Sequence, residues 1–321
     1  MEEKKGRLFL NSPNALAGNY TEKCDTATAA FQSAEAGTVD YTGDESSVLQ
    51  EIRKLVALLP SNNESDDAVG ECADDLNRVI DGAEGAAADP AILLPLLSDE
   101  GAFFEVKRAY ARDMVTGFIR LNGATVGAVA NRTKVFDENG AEKEKFEPVI
   151  SAKGAEKAAD FVRFCDAFDI PVVTFTDVKG FKACMCGEKR LPRALAQLTG
   201  AFAGATVPKV NVITGRAYGS AAVVMNSGSL GADLVIAWPD AEIGTMDAQN
   251  AAKIICAGDV DGQAACAKAY AEKQTSATGA AERGYVDEIV EPADTRKYII
   301  GALEMLYTKR DESPAKKHGA F

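Results

Sequence analysis

The residue with the most chemical leverage in this sequence is a glycine. Gly219 follows a β-branched run, Pro208 to Thr214, and precedes a small apolar stretch, Ala221 to Met225. The pattern predicts a strand that turns sharply and opens a helix, with a second buried strand at Asp233 to Trp238. The first N–H groups of a helix have no acceptor within it, so such a turn aims backbone donors into the space above. A developing negative charge can be held there without a charged side chain. The same pattern also fits a glycine whose whole role is to permit a tight turn.

Side chains suited to acid–base or metal chemistry are scarce. The one histidine, His318, sits in the terminal PAKKHGAF, which argues against a Ser-His-Asp triad, a Cys-His pair or a histidine-rich metal site. Seven cysteines are scattered without a disulfide-like framework, and reduced thiols are the expectation. Cys184-Met185-Cys186 is the only close pair, and its single-residue spacer is shorter than that of a structural zinc knuckle. A loop carrying two thiols is expected there, with no metal. Backbone dipoles or a cofactor are left to carry any chemistry.

The chain is long enough, at 321 residues, to bury a sizeable core. A net charge of -13 opposes direct nucleic-acid binding, which needs surplus Lys and Arg. No apolar run reaches the roughly 18 residues that span a bilayer. The opening MEEKKGRLFLNSP has too short an apolar stretch for a signal peptide, so cytoplasmic residence is expected.

Three parts are read along the chain. Residues 1–60 hold a short strand, Arg7 to Leu10, and a helix, Ser46 to Leu59, closed by Pro60. They are too few to form a core and must pack on something else. Residues 61–90 are acidic and rich in Asn, Asp and Gly, and read as a linker. From Ala91 to 321 strands and helices alternate. A helix at Ala91 to Leu97 and an entry segment at Phe103 to Tyr110 come first. Strands at Thr116 to Leu121 and Thr125 to Ala130 flank the Asn122-Gly123 hairpin signal. Then come a helix capped by Ser151 that runs to Phe168, a strand at Pro171 to Thr176 and a helix at Arg190 to Phe202. Past the Gly219 region lie a helix at Asp261 to Lys273, a strand at Tyr285 to Val290 and a helix at Ala293 to Leu306. The alternation implies an α/β core with parallel pairing. No G-x-G-x-x-G follows a strand and no Walker lysine motif occurs.

Three segments, Phe161 to Phe181, Ala201 to Met225 and Leu234 to Met246, resemble the C-terminal half of the carboxyltransferase of biotin-dependent acyl-CoA carboxylases. The propionyl-CoA carboxylase β-chain type is the nearest pattern, and GFIRLNGATVGAVAN and the terminal PAKKHG resemble it too. The fold so implied is a crotonase-like spiral of ββα units. The resemblance implies that residues 1–60 are a remnant of the family's N-terminal domain, with a separate chain supplying the remainder. It also implies biotin on a carrier protein, an acyl-CoA substrate, a biotin carboxylase or membrane decarboxylase subunit, and an oligomeric complex.

In that family a G-G-A-Y-D run after an aromatic residue supplies an oxyanion hole on the biotin side. Here the run reads Gly219-Ser220-Ala221-Ala222-Val223 after Tyr218, which assigns the catalytic donors to the backbone N–H groups of Ser220 and Ala221. By the same resemblance Gly180, Phe181, Tyr218, Gly219, Ala222, Val223 and Met246 surround biotin. Departures are plain. The family's acidic residue at the end of the run, associated with choice of acyl group, is replaced here by Val223, the family's P-G-F-x-P-G loop reads VKGFKACMCGEKRLPRALA, and Met246 is followed by Asp247, an ordinary helix N-cap on its own reading. Arg216 fits either a contact with substrate carboxylate or phosphate, or a surface ion pair. The implied activity is carboxyl transfer between biotin and an acyl-CoA. A sodium-pumping decarboxylase of the same design and a non-catalytic assembly subunit are the alternatives, and a crotonase-type hydratase lacks its pair of acidic catalysts.

Overall fold

The computed structural model of the chain describes residues 1–11, 18, 25–65 and 69–311. His318 and the PAKKHG tail lie outside the described residues, as does Cys24.

Helices α1 (Ala29–Ala34) and α2 (Glu45–Leu58) precede α3 (Ala83–Ala86) and α4 (Pro90–Leu97). Strands β1 (Phe103–Val106), β2 (Met114–Leu121), β3 (Ala124–Asn131), β4 (Lys134–Phe136), β5 (Glu142–Lys145) and β6 (Val149–Ile150) lead into α5 (Ala152–Ala167). Next come β7 (Val172–Val178), β8 (Gly180–Phe181), α6 (Met185–Gly204), β9 (Lys209–Tyr218), α7 (Gly219–Val224), β10 (Leu234–Ala237) and β11 (Glu242–Gly244). The chain continues through α8 (Ala248–Ile255), α9 (Gln263–Tyr270), α10 (Ala277–Glu282), β12 (Glu288–Ile289) and α11 (Thr295–Met305).

An eight-stranded sheet organises them in the order β1-β2-β3-β7-β9-β10-β12, with β11 also on β9. The first three strands pair antiparallel and the rest parallel. Asn122 and Gly123 join β2 to β3 with φ of 52° and 77°, the left-handed pair that a two-residue hairpin requires. Strand alternation then serves two cores. Phe118 and Val129 face α5 and α6, meeting Phe161, Leu198 and Phe202. Ile119, Phe175, Val210 and Ile236 face the opposite side, where Leu93, Leu97 and Ile299 cover them.

Helix starts follow local chemistry. The Oγ of Ser151 accepts from the Gly154 N–H at 3.0 Å, as its position predicts. Asp44 caps α2, accepting from the Ser47 N–H at 2.7 Å. The helix expected from Arg190 starts earlier, at Met185, because the Cys184 sulfur takes the capping role. Phe103 to Val106 forms an edge strand, and β9 extends to Tyr218, four residues past the run that announced it.

At the N-terminus, Arg7 makes one bridge to Thr28, not the strand expected over Arg7 to Leu10. Leu58 is buried and Leu55 packs on the core, while Leu49, Ile52 and Val56 leave an exposed apolar face on α2. Residues 69–90, read from their acidic composition as a linker, lie against the body of the sheet. Ile80, Ala83 and Ala86 are buried there, and the Gly70 N–H reaches the Gly123 carbonyl at 2.9 Å. Two of their acidic residues have cationic partners. Asp89 caps α4 and meets buried Arg132 at 2.7 Å, and Asp74 lies 3.5 Å from Arg296.

Candidate functional site

The strand-to-helix turn at Gly219 is a backbone construction. β9 delivers Tyr218 in extended geometry, Gly219 turns at φ 56°, and α7 begins with no side-chain cap. The N–H groups of Ser220 and Ala221 lie in the first turn of α7 and have no acceptor within it. Ser220 is exposed, whereas the Ala221 methyl is buried and anchors the helix to the core.

Two further segments flank the turn. The upper half of β9 pairs with β11, placing Gly244 opposite Tyr218 and leading the chain past Thr245 to Met246. A Cβ on Gly219 would lie 3.1 Å from the Thr245 carbonyl oxygen, so the glycine answers both a left-handed φ and a close approach. On the other side β8 lies against α7. Its two residues, Gly180 and Phe181, pair with Val149 and Ile150 of β6, and the Lys182 N–H bonds to the Ile150 carbonyl at 2.9 Å. The residues singled out from sequence are thus neighbours: Tyr218 to Val223 in one run, Gly180 and Phe181 beside it, and Met246 beyond β11.

A cavity of about 750 Å³ is lined by Gly219, Ala222, Val223 and Thr245 from this turn and its flank. Thr176, Asn211 and Ser227 add polar atoms to its lining, and these escaped the sequence reading. The Thr174 and Thr176 hydroxyls each donate to Asn211 Oδ1 at 2.8 Å, and Asn226 Nδ2 donates to Thr174 Oγ1 at 3.2 Å. The Asn226 Oδ1 and the Ser227 Oγ are buried without a hydrogen-bond partner among the described residues. The signal that could have found Thr174, Thr176 and Asn211 is a polar residue on strands otherwise read as β-branched and buried; Asn226 and Ser227 lie in the turn after α7.

The nearby ionisable groups are mostly engaged. Arg216 makes a fork to Asp177, with Nε and Nη2 at 2.8 Å from its two oxygens, so the ion-pair reading describes it. The Tyr218 hydroxyl donates to Glu242, and burial, reinforced by that bond, pushes the phenol above its ordinary range. Asp247 is the N-cap of α8, accepting from the Asn250 N–H at 3.0 Å. The expectation of reduced thiols needs one correction. Cys256 and Cys266, at the end of α8 and in α9, form a disulfide with Cα atoms 6.8 Å apart. The turn between the two helices brings together cysteines whose spacing matches no framework readable from sequence. Cys184 and Cys186 are free, and among the described residues no three His, Cys, Asp or Glu gather as a metal site.

The sequence matches the family described as carboxyl transferase domain over residues 1–321. A methylmalonyl-CoA decarboxylase subunit alpha from Veillonella parvula is 35% identical, the match covering 99% of this chain and 63% of that protein. A propionyl-CoA carboxylase beta chain from Saccharopolyspora erythraea is also 35% identical, over 99% of this chain and 62% of its own length. The chain therefore spans less than two thirds of these relatives. Among solved structures, the transcarboxylase 12S hexamer with methylmalonyl-coenzyme A and methylmalonic acid bound superposes with a TM-score of 0.89 at 33% identity, over 99% of this chain and 63% of that one. A single-chain, multi-domain long-chain acyl-CoA carboxylase shares the fold alone, with a TM-score of 0.72 at 22% identity. With its mixed α/β sheet and covering helices, the chain has the crotonase-like fold of these neighbours. By sequence and by fold, the chain belongs to the carboxyl transferase domain family.

Proposed function

We propose that this chain transfers a carboxyl group between biotin and an acyl-CoA, using the backbone N–H groups of Ser220 and Ala221 as donors to the oxygen that gains charge. The observation that carries the reading is the left-handed turn at Gly219, which opens α7 without a side-chain cap. Biotin fits there on the chain's own features. Gly219 has no side chain where a Cβ would crowd the Thr245 carbonyl, the first-turn donors have no side-chain acceptor, and a cavity of about 750 Å³ adjoins them. Gly180, Phe181, Tyr218, Gly219, Ala222, Val223 and Met246 would surround it. When bound, carboxylated biotin supplies the carboxyl group that moves. Each backbone donor aimed at the developing negative charge contributes about 2.7–4 kcal/mol to lowering the barrier. The fixed turn costs no reorganisation during the reaction. Val223 stands where the family has an acidic residue associated with choice of acyl group, and that departure disfavours a reading confined to propionyl groups.

The working assembly in this reading contains a chain that supplies the family's N-terminal carboxyltransferase domain, a biotin carboxyl carrier protein, and a biotin carboxylase or a membrane decarboxylase subunit. The exposed Leu49, Ile52 and Val56 face of α2 supports a partner seated on it. Among the described residues no helix is long and apolar enough to cross a membrane, and we place the complex in the cytoplasm. The equal identity to a decarboxylase subunit and to a carboxylase chain favours a site that runs in either direction.

The test is co-purification with partner chains followed by carboxyl transfer with malonyl-, methylmalonyl- and glutaconyl-CoA. Ser220→Pro removes one donor, and kcat is expected to fall by about 100- to 1,000-fold. Unchanged transfer by the folded, reconstituted complex would overturn the assignment and leave the chain an assembly role.

A further inference from the structure

The four free cysteines among the described residues differ sharply in setting. Cys165 is fully buried, and burial pushes its thiol far above the ordinary range, which leaves it inert. Cys184 and Cys186 face each other at the start of α6, with their sulfurs 3.3 Å apart. Cys184 is half-buried and holds the helix cap, its sulfur accepting the Gly187 N–H at 3.2 Å. Cys186 is exposed, within the first turn at the positive end of a 20-residue helix. The hydrogen bond from Cys184 lowers its thiol below the ordinary value, with the Gly187 N–H and the charge of Lys182 adding to the effect. Gly187 completes the arrangement. A side chain there would come within 2.9 Å of the Cys184 sulfur, so the glycine keeps room for that sulfur beside its partner.

We propose that Cys184 and Cys186 are a dithiol modification site that a small-molecule disulfide converts reversibly to an intramolecular disulfide. The geometry assigns the roles. Exposed Cys186, as thiolate, attacks one sulfur of the reagent R–S–S–R, forms the mixed disulfide and releases one thiolate. Cys184 then gives up its proton and attacks the Cys186 sulfur, expelling the second R–S⁻. Two protein thiols become one disulfide, and the reagent is reduced to two R–SH, which take up the two protons. The protein sulfurs close from 3.3 Å to about 2.05 Å, a movement confined to the first turn of α6. The site is independent of carboxyl transfer and goes beyond it, since neither thiol belongs to the Gly219 turn.

The experiment uses the full chain in buffers of reduced and oxidised glutathione at graded ratios. Each sample is quenched with N-ethylmaleimide and digested with trypsin. Residues 183–189, Ala-Cys-Met-Cys-Gly-Glu-Lys, leave as one peptide carrying both thiols. The expected result is that this peptide loses both labels together and two hydrogens of mass, at ratios where the Cys72 peptide remains labelled. Cys184→Ser keeps a capping oxygen, so the helix start survives, and Cys186 should then accumulate the mixed glutathione disulfide. Cys186→Ser should leave Cys184 fully maleimide-reactive. The proposal is overturned if both thiols stay labelled while Cys72 is oxidised, if wild-type Cys186 stops as a glutathione adduct, or if the oxidised peptide is joined between two chains.

Discussion

Arg296 allows a quantitative test of how the C-terminal helix is joined to the rest of the chain. Its side chain is wholly buried in α11, yet every nitrogen has an acceptor. Nε donates to the Leu97 carbonyl at 3.1 Å, Nη1 to the Asp75 carbonyl at 2.7 Å, and Nη2 to Asp99 Oδ1 at 2.5 Å. Asp99 in turn accepts from the Asn122 and Gly123 N–H groups at 3.2 and 2.7 Å. One guanidinium therefore links α11, the acidic segment around Asp75, the end of α4 and the β2–β3 hairpin. Arg296→Met keeps the apolar stem but leaves Asp99, whose side chain is 8% exposed, as a buried charge. Removing one partner of a buried pair costs about 3–5 kcal/mol. The two remaining N–H donors to Asp99 place the expected loss near the lower figure. Against a total stability of about 5–15 kcal/mol, that loss is readily seen as an earlier midpoint in guanidinium unfolding. Asp99→Asn in the Arg296→Met background removes the orphaned charge and should restore 1 kcal/mol or more, a coupling of about the size contacting residues show. As a control, Lys54→Ala at the exposed Glu51–Lys54 pair should change stability by less than about 0.5 kcal/mol. A loss below about 1 kcal/mol in Arg296→Met, or strict additivity with Asp99→Asn, would refute the reasoning.

Two other outcomes follow from features of the fold. Gly219→Ala forces a left-handed residue that costs about 1–2 kcal/mol and presses its Cβ towards the Thr245 carbonyl, so denaturant unfolding should reveal that loss and carboxyl transfer should fall at least about tenfold. Gly219→Asn, which tolerates positive φ better, should retain more stability than the alanine variant. Lys157 is buried among Glu105, Arg132, Asp113 and Lys107, its ammonium donating to the Tyr110 and Met114 carbonyls, and burial lowers its pKa to about 7. Between pH 7 and its ordinary 10.5 the unfolded chain binds the extra proton, so this group's contribution to stability rises with pH across that window and is lost as pH falls through 7. The stability difference between wild type and Lys157→Met should climb by up to about 1.4 kcal/mol per pH unit from pH 7 to 9, and a flat difference would contradict the assignment.

Much of the candidate site's local geometry was legible because it is made of backbone. Asn122-Gly123 and Gly219 announce their turns through the conformations they permit, and the turn at Gly219 fixes where its donors lie. Asp247 could be read as a cap from its position alone. What stayed hidden depends on distant contacts. Nothing near Asp89 in sequence shows that Arg132 neutralises it, and Asp74 adds distant Arg296 to its local partner Arg78, so an acidic strip that packs on the core resembles a linker. Thr174, Thr176, Asn211 and Asn226 lie on two strands and the turn after α7, and their ladder exists only once β7 and β9 pair in register. The Cys256–Cys266 disulfide likewise depends on the angle between two helices. Positions set by local φ and by period are readable; partnerships closed by tertiary register are not.

The anchoring of β8 bears on how this sequence could diverge. Gly180 and Phe181 are held from behind by Val149 and Ile150, and nothing downstream of Lys182 contributes to that pairing. The stretch from Lys182 to Pro192 is therefore free to change its chemistry, as it has in exchanging a proline- and glycine-bearing loop for a thiol-capped helix, while the two residues beside the turn keep their place. Selection can rewrite the segment after Phe181 without moving the two residues beside the turn.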